Sequence, residues 1–185
     1  MRPIAETISH GQCASPLGAI LLAWRGSATQ PILVGLDFAA FEARFKRLIA
    51  KRFGSHVDLK LAPVPHKVAD AIAAYFGGNP APLLALPWQG HGTPFQDRVW
   101  QQLRAIPCGQ TRSYAQVAKD IGQPTAVRAV ARANALNPIG IATPCHRVIG
   151  SNGQLTGYAG GLEAKSWLLD HEKRMIGHPA STPAA

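Results

Sequence analysis

Acidic side chains, cysteines, aromatics and long apolar runs are all scarce in this 185-residue chain, and each scarcity removes a class of protein. Ten Asp and Glu stand against 19 Lys and Arg, giving a net charge of +9 and a pI near 10.0. That balance favours anionic partners. The three cysteines, Cys13, Cys108 and Cys145, are odd in number and irregular in spacing, which argues against a disulfide framework and for a reducing compartment. His10 lies three residues from Cys13, and His56, His66 and His91 are scattered. No paired Cys-x-x-Cys or His-x-x-x-His supplies the spacing of a four-coordinate zinc site, so no metal is expected. No apolar run approaches the roughly 18 residues of a spanning helix, and the start, with Arg2, Pro3, Glu6 and His10, lacks the apolar stretch of a signal peptide. A cytoplasmic protein without a membrane partner is expected. What remains, 46% hydrophobic with 18 Gly and 15 Pro, reads as an ordinary globular chain long enough for one large domain or two small ones.

The charge is unevenly placed. Residues 98–147 carry 7 basic and 1 acidic side chains, and no Asp or Glu occurs from Ile121 to Leu162, where Arg128, Arg132 and Arg147 fall. The fold expected is α/β (α+β). A small N-terminal sheet-plus-helix domain occupies 1–90. A mostly helical, winged-helix-like DNA-binding domain with a helix-turn-helix follows over 91–175, and a disordered tail over 176–185.

Within the first domain, Ala19–Trp24 and Ile32–Leu36, separated by Gly26-Ser27-Ala28-Thr29, predict a β-hairpin. Asp37 is the expected N-cap of an amphipathic helix over 38–53, with Phe38, Phe41, Phe45, Leu48 and Ile49 on its buried face and Arg44, Lys46, Arg47 and Lys51 toward solvent. A helix over about 67–76 ends at Gly77-Gly78, and a Pro-rich stretch to Gly92 marks the boundary. Beyond it, Thr93-Pro94-Phe95-Gln96 and Ser113-Tyr114-Ala115-Gln116 both carry the capping-box pattern. The second opens a short helix stopped by Gly122. Another follows from Pro124 to Asn137-Pro138, with Arg128 and Arg132 on one flank. Two short helices joined by Gly122-Gln123-Pro124 make a helix-turn-helix pattern. Residues 139–143 are expected as a buried strand, 147–158 as a small wing turning at Asn152-Gly153, and Leu162 to about His171 as the last helix.

Pro144-Cys145-His146-Arg147-Val148 follows the apolar run. A thiol becomes nucleophilic when ionised, and a neighbouring imidazole or cation lowers its pKa; His146 and Arg147 are neighbours of both kinds. This string resembles the active-site signature of the O6-alkylguanine-DNA alkyltransferases, the methylated-DNA–protein-cysteine methyltransferases, in a stand-alone bacterial-type form. The similarity extends over roughly 92–173, through Phe95-Gln96, Val99-Trp100, Ile106-Pro107-Cys108-Gly109, Ser113-Tyr114, Arg128-Ala129-Val130, Asn137-Pro138, Gly157 to Gly161 and Trp167-Leu168-Leu169.

The resemblance implies a DNA repair protein that flips O6-alkylguanine, and O4-alkylthymine, out of duplex DNA and moves the alkyl group irreversibly to Cys145. It implies a proton relay from Cys145 through water to His146, oriented by Glu172, with Tyr114 donating toward the departing guanine and Asn137 bracing the active-site turn. Arg128 would fill the gap left by the flipped base, and Gln123, Thr125 and Ser151 are candidate phosphate contacts beside Tyr114 and Arg128. No cofactor and no obligate protein partner is implied, and a monomer acting on double-stranded DNA is expected. Some family members carry zinc on two cysteines and two histidines in the N-terminal domain; here only Cys13 stands there. The rival readings are a non-catalytic helix-turn-helix DNA-binding protein, which leaves Pro144 to Val148 unexplained, a cysteine hydrolase, whose local signatures are lacking, and an alkyltransferase-like lesion binder, which would not keep Cys145.

Overall fold

A computed structural model describes residues 7–54 and 57–177. The expected tail beyond Gly177 lies outside the described residues.

Four strands form the N-terminal sheet: β1 (Thr7–Cys13), β2 (Ile20–Arg25), β3 (Ile32–Phe38) and β4 (Asp58–Leu61), in the order β3-β2-β1-β4. The predicted hairpin is β2–β3, antiparallel, with Leu22 opposite Leu36 and Ile20 opposite Phe38. Strand β1 pairs antiparallel with β2 and parallel with β4; neither β1 nor β4 shows a strong alternation in the sequence. Because successive strand residues face opposite ways, the sheet feeds two cores. Ile8, Ala23 and Val34 pack against Phe45 and Ile49 of α1 (Glu42–Phe53). On the other face Ile20, Leu22, Leu33 and Leu36 meet Val68, Ala71, Ile72 and Tyr75 of α2 (His66–Phe76).

Asp37 is no helix cap. It is the penultimate residue of β3, 6% exposed, and a 3-10 turn over Ala39–Phe41 lies between β3 and α1. Its carboxylate accepts from Phe38 N and from Arg44, so Arg44 leaves the solvent face on which the amphipathic pattern placed it.

The short α3 (Ala81–Leu84) leads into a linker that wraps Trp100: a Cβ on Gly90 or Gly92 would lie 2.4–2.5 Å from the indole. The helical half follows, with α4 (Pro94–Ala105), β5 (Arg112–Ser113), α5 (Tyr114–Asp120) and α6 (Val127–Ala135). Both capping boxes form: Thr93 with Gln96, and Ser113 with Gln116. Helix α6 starts three residues after Pro124, and Gly122, at φ +74, makes the left-handed turn between the two helices. Val99, Trp100 and Leu103 of α4 bury with Val117, Ala118, Val130 and Ala133 to form the helix-turn-helix core.

Residues 139–143 are buried but not a strand. Ile139 makes a single parallel bridge to Leu36, Ile141 turns at φ +64, and a 3-10 turn, Cys145–Arg147, follows. The β6 strand (Val148–Ile149) pairs in parallel with β5. The Asn152-Gly153 turn forms, with Gly150 N donating to Gln154 O, yet no antiparallel wing strand returns among the described residues. The last helix, α7 (Leu162–Gly177), runs six residues past His171, because Glu172 is buried and Met175 packs on the core.

Since the Ser113 cap satisfies an otherwise orphaned N–H at the start of α5, Ser113→Ala is expected to cost about 1 kcal/mol. The check is urea unfolding, where the midpoint should fall with little change in slope.

Candidate active site

Cys145 sits in the 3-10 turn behind Pro144, 5% exposed. The turn is held from four directions. Asn137, at the end of α6 and 2% exposed, donates from Nδ2 to Thr143 O at 2.7 Å and to Cys145 Sγ at 3.0 Å, while its Oδ1 accepts from Ile139 N. The outer edge of β3 takes up the same segment, with Leu36 N donating to Pro138 O and Gly140 N to Leu36 O. Arg44 of α1, ion-paired to Asp37, donates to Ala135 O at 2.8 Å and Asn137 O at 3.0 Å. From the far side Arg104 of α4 donates to Ala142 O.

Burial pushes the Cys145 thiol above its ordinary value, with Asn137 and the cations of Arg44 and Lys165 opposing. Arg147 does not act on the thiol as its adjacency in sequence suggests. Its guanidinium turns away to grip Glu172 in a fork, Nε to Oε2 and Nη2 to Oε1, both at 2.8 Å, and gives Nη1 to Ile106 O. The thiol is therefore stored neutral, and ionisation needs a base at the moment of reaction.

A group chemically able to serve as that base lies next door. His146 is fully buried and its Nε2 lies 2.8 Å from Glu172 Oε1. Burial pulls the imidazole pKa down against the pull of Glu172, so the ring is neutral. Burial alone would raise the Glu172 carboxyl, but His146 and Arg147 outweigh it and hold the group well below the usual carboxylate range. A carboxylate only accepts, so Nε2 carries the hydrogen and Nδ1 keeps its lone pair. Nδ1 is buried and has no hydrogen-bond partner among the described residues. The ring of Tyr158 stands edge-on to His146, centroids 6.4 Å apart.

Tyr114, first residue of α5, is half-buried; burial raises its phenol, which reaches Thr156 and Asn134 and feels the charge of Cys145. Gln123, Thr125 and Arg128 lie on the turn and first residues of α6, with Thr125 and Arg128 exposed, and Ser151 is exposed in the turn after β6. Cys145, His146, Glu172, Asn137 and Tyr114 thus meet around one buried turn, while Gln123, Thr125, Arg128 and Ser151 stay on the surface.

Several residues escaped the sequence reading. Asn134, three before Asn137 on the same face of α6, donates to Cys145 O at 3.5 Å, and that spacing was the one available signal. Lys165, 0% exposed, donates to Val148 O and Thr156 O and straps β6 to the loop before α7; burial lowers its pKa to about 8. Tyr75 of α2 donates to Glu172 Oε1 at 2.8 Å. Nothing local marks it, because a contact 97 residues away has no sequence periodicity. Cys108 lies near Glu172, and burial together with that charge raises its thiol to about 11.

Comparison with known proteins settles the family. Residues 94–174 match the family described as 6-O-methylguanine DNA methyltransferase, DNA binding domain. The methylated-DNA–protein-cysteine methyltransferase of Salmonella typhimurium is 45% identical over 164 residues, covering 88% of this chain and 94% of that one. The chain belongs to the methylated-DNA–protein-cysteine methyltransferase family. Among solved structures, the Mycobacterium tuberculosis O6-methylguanine methyltransferase is 38% identical with a TM-score of 0.74, over 94% of this chain and 96% of that one. The same organism's OGT in complex with DNA is 37% identical with a TM-score of 0.73, over 91% and 94%. These matches cover 88–94% of the chain and so extend beyond residues 94–174 into the N-terminal half that the sequence motifs barely touch. No described helix is long and apolar enough to cross a membrane.

Replacing Glu172 by Gln leaves the Arg147 guanidinium, 0% exposed, without a counter-charge. The cost is expected at about 3–5 kcal/mol. A depressed carboxyl contributes its stability above its unfolded value and loses it as pH falls through the lower folded value. Urea midpoints of wild type and Glu172→Gln should therefore differ most at neutral pH and converge only in strong acid.

Proposed function

We propose that this protein is a single-use DNA repair alkyltransferase that takes O6-alkylguanine, and O4-alkylthymine, out of duplex DNA and moves the alkyl group onto Cys145 Sγ. The observation that carries the reading is the pairing of a buried thiol, held 3.0 Å from Asn137 Nδ2, with a neutral His146 whose Nε2 is committed to Glu172 and whose Nδ1 is left as a base.

The thiol proton passes through a water to His146 Nδ1, and the imidazolium that forms is stabilised by Glu172. The sulfur forms a bond to the alkyl carbon as the bond from that carbon to guanine O6 breaks. The electron pair goes to the purine, toward which the Tyr114 hydroxyl donates, and the proton held on His146 returns to the purine through water, so that thiol and alkylguanine become thioether and guanine. Asn137 offsets part of the cost of a buried thiolate, since a hydrogen bond to an ionised acceptor is about twice as strong as a neutral one. Every electron and proton is accounted for without a cofactor. The thioether has no leaving group that water can displace, so the protein does not turn over.

Extraction of the base costs a few kcal/mol of stacking and pairing. Arg128, exposed on α6, replaces part of what is lost, and Gln123, Thr125 and Ser151 take phosphates on either side. The acid-free stretch from Ile121 to Leu162 keeps the approach free of repulsion. The protein acts on double-stranded DNA as a monomer in the cytoplasm.

With excess methylated-guanine oligonucleotide, repair should stop at one lesion per protein, and mass spectrometry should place one methyl group on Cys145. Cys145→Ala should lose transfer and keep duplex binding; product formation beyond the plateau would overturn the reading. The pH dependence follows from the imidazole. Because its pKa is lowered, Nδ1 stays unprotonated below the ordinary value of about 6.5. Single-turnover rates should consequently lose their base only at more acid pH than a free imidazole would.

A further inference from the structure

Away from Cys145, the linker and the last turn of α1 enclose a second cavity of about 240 Å³. Its walls include Lys51 and Arg52 of α1, His91 of the linker, Thr93 and Gln96 at the start of α4, and Leu136 just beyond α6. No Asp or Glu lines it among the described residues. Asp97, the acid in the first turn of α4, accepts from Gly92 N and lines the neighbouring cavity instead.

Arg52 is the unusual element. Its Nε donates to Leu48 O at 2.7 Å and its Nη1 to Gly90 O at 3.2 Å, while Nη2 is buried and has no partner among the described residues. A guanidinium presents its donors in a rigid fork suited to two oxygens of one anion, and an unsatisfied donor taken out of water is costly. Here two edges of the fork are occupied by carbonyls and the third is left over. Burial without a counter-anion, together with the charge of Arg44, disfavours the charged guanidinium. Lys51, exposed one residue before, adds a second cation, and the positive end of the α4 dipole lies at Thr93. His91 is held in the left-handed region at φ 50, with its ring 4.5 Å from that of Phe53 and Nε2 3.3 Å from Arg25 Nη1, so the linker wall is fixed in place.

The geometry points to an anion-binding site in this cavity, built by Arg52 and Lys51, that takes a phosphate group. Leu136 ties it to the helix-turn-helix, since α6 carries Arg128 and Arg132 and ends at the cavity wall. A backbone phosphate of the bound duplex and a free phosphate present the same chemistry, and the test separates them. The site stands on its own geometry; only a duplex phosphate as its occupant rests on the function proposed above.

The experiment titrates the full chain with inorganic phosphate by calorimetry and measures duplex affinity over a range of salt. Inorganic phosphate should bind the wild type one to one. Arg52→Gln and Lys51→Gln should each weaken it about tenfold, the loss expected for one hydrogen bond to a charged group, and Lys67→Gln, exposed on α2 and outside the cavity, should not. If the occupant is a duplex phosphate, the slope of log affinity against log salt becomes shallower by about 0.9 for each lost contact. An unchanged slope with a lost phosphate response assigns the site to free phosphate. Lys51 is exposed on α1, so its variant keeps the test usable where Arg52→Gln fails to fold. If neither the phosphate response nor the salt slope depends on Lys51 and Arg52 in folded protein, the site is overturned. The methyl mass increment on Cys145, measured on the same samples, reports the proposed transfer separately.

Discussion

Five hydrogen-bond donors converge on the buried carboxylate of Glu172: Tyr75 Oη, His146 Nε2, Arg147 Nε and Nη2, and Gly109 N. An ionised carboxylate removed from water is tolerable only when its lone pairs are filled and its charge is matched, and both conditions are met here. The consequence is architectural as well as chemical. The donors come from α2, from the turn after α4 and from the 3-10 turn of Cys145, so one side chain of α7 pins the N-terminal sheet layer, the helical half and that turn to a common point. The same arrangement sets the imidazole tautomer, because Arg147 supplies the balancing charge and His146 can remain neutral.

A second constraint comes from the sheet. The outer edge of β3 would present unpaired backbone groups, and it is covered at two places by the other half of the chain: Leu33 bonds Pro87 and Gln89, and Leu36 bonds Pro138 and Gly140. The reactive turn is thus partly an edge strand's partner. Arg44 reinforces this, carrying its Asp37-paired guanidinium to the last carbonyls of α6, where a cation is favoured by the helix dipole. The N-terminal layer, which bears none of the motif residues, therefore acts on Cys145 through position and through the charge of Arg44. Its Leu36, Arg44 and Tyr75 reach the site through backbone or carboxylate groups rather than through the thiol.

The surface proposed to meet DNA is separate from these clamps. Helices α5 and α6 rest on a closed apolar core around Trp100, whose Nε1 donates to Ala133 O. Arg128, Arg132 and Thr125 stand outside that core, with no ion pair to another described residue that a phosphate would have to break. A rigid support beneath exposed cations is the arrangement in which electrostatic affinity is least reduced by ordering cost.

Local signals sufficed wherever the physics is local. The hairpin β2–β3, the two capping boxes, the Gly122 turn and the helices α2, α4 and α5 rest on periodicity and on side chains that bond within three residues, and the five-residue run around Cys145 pointed to the buried turn where the proposed nucleophile lies. Where charge or packing across the chain decides, the sequence was silent or misleading. Asp37 has the residue type of a cap but pairs with Arg44. Residues 139–143 have the apolarity of a strand but are bent by Ile141 and by Asn137. Arg147 stands beside Cys145 in sequence yet serves Glu172, and α7 continues past His171 because Glu172 must reach the core. The sequence by itself determined which groups can react and which elements form. Only the tertiary structure decided which proton each group holds, because burial and the convergence of distant donors, rather than residue type, set the charge of Cys145, His146 and Glu172.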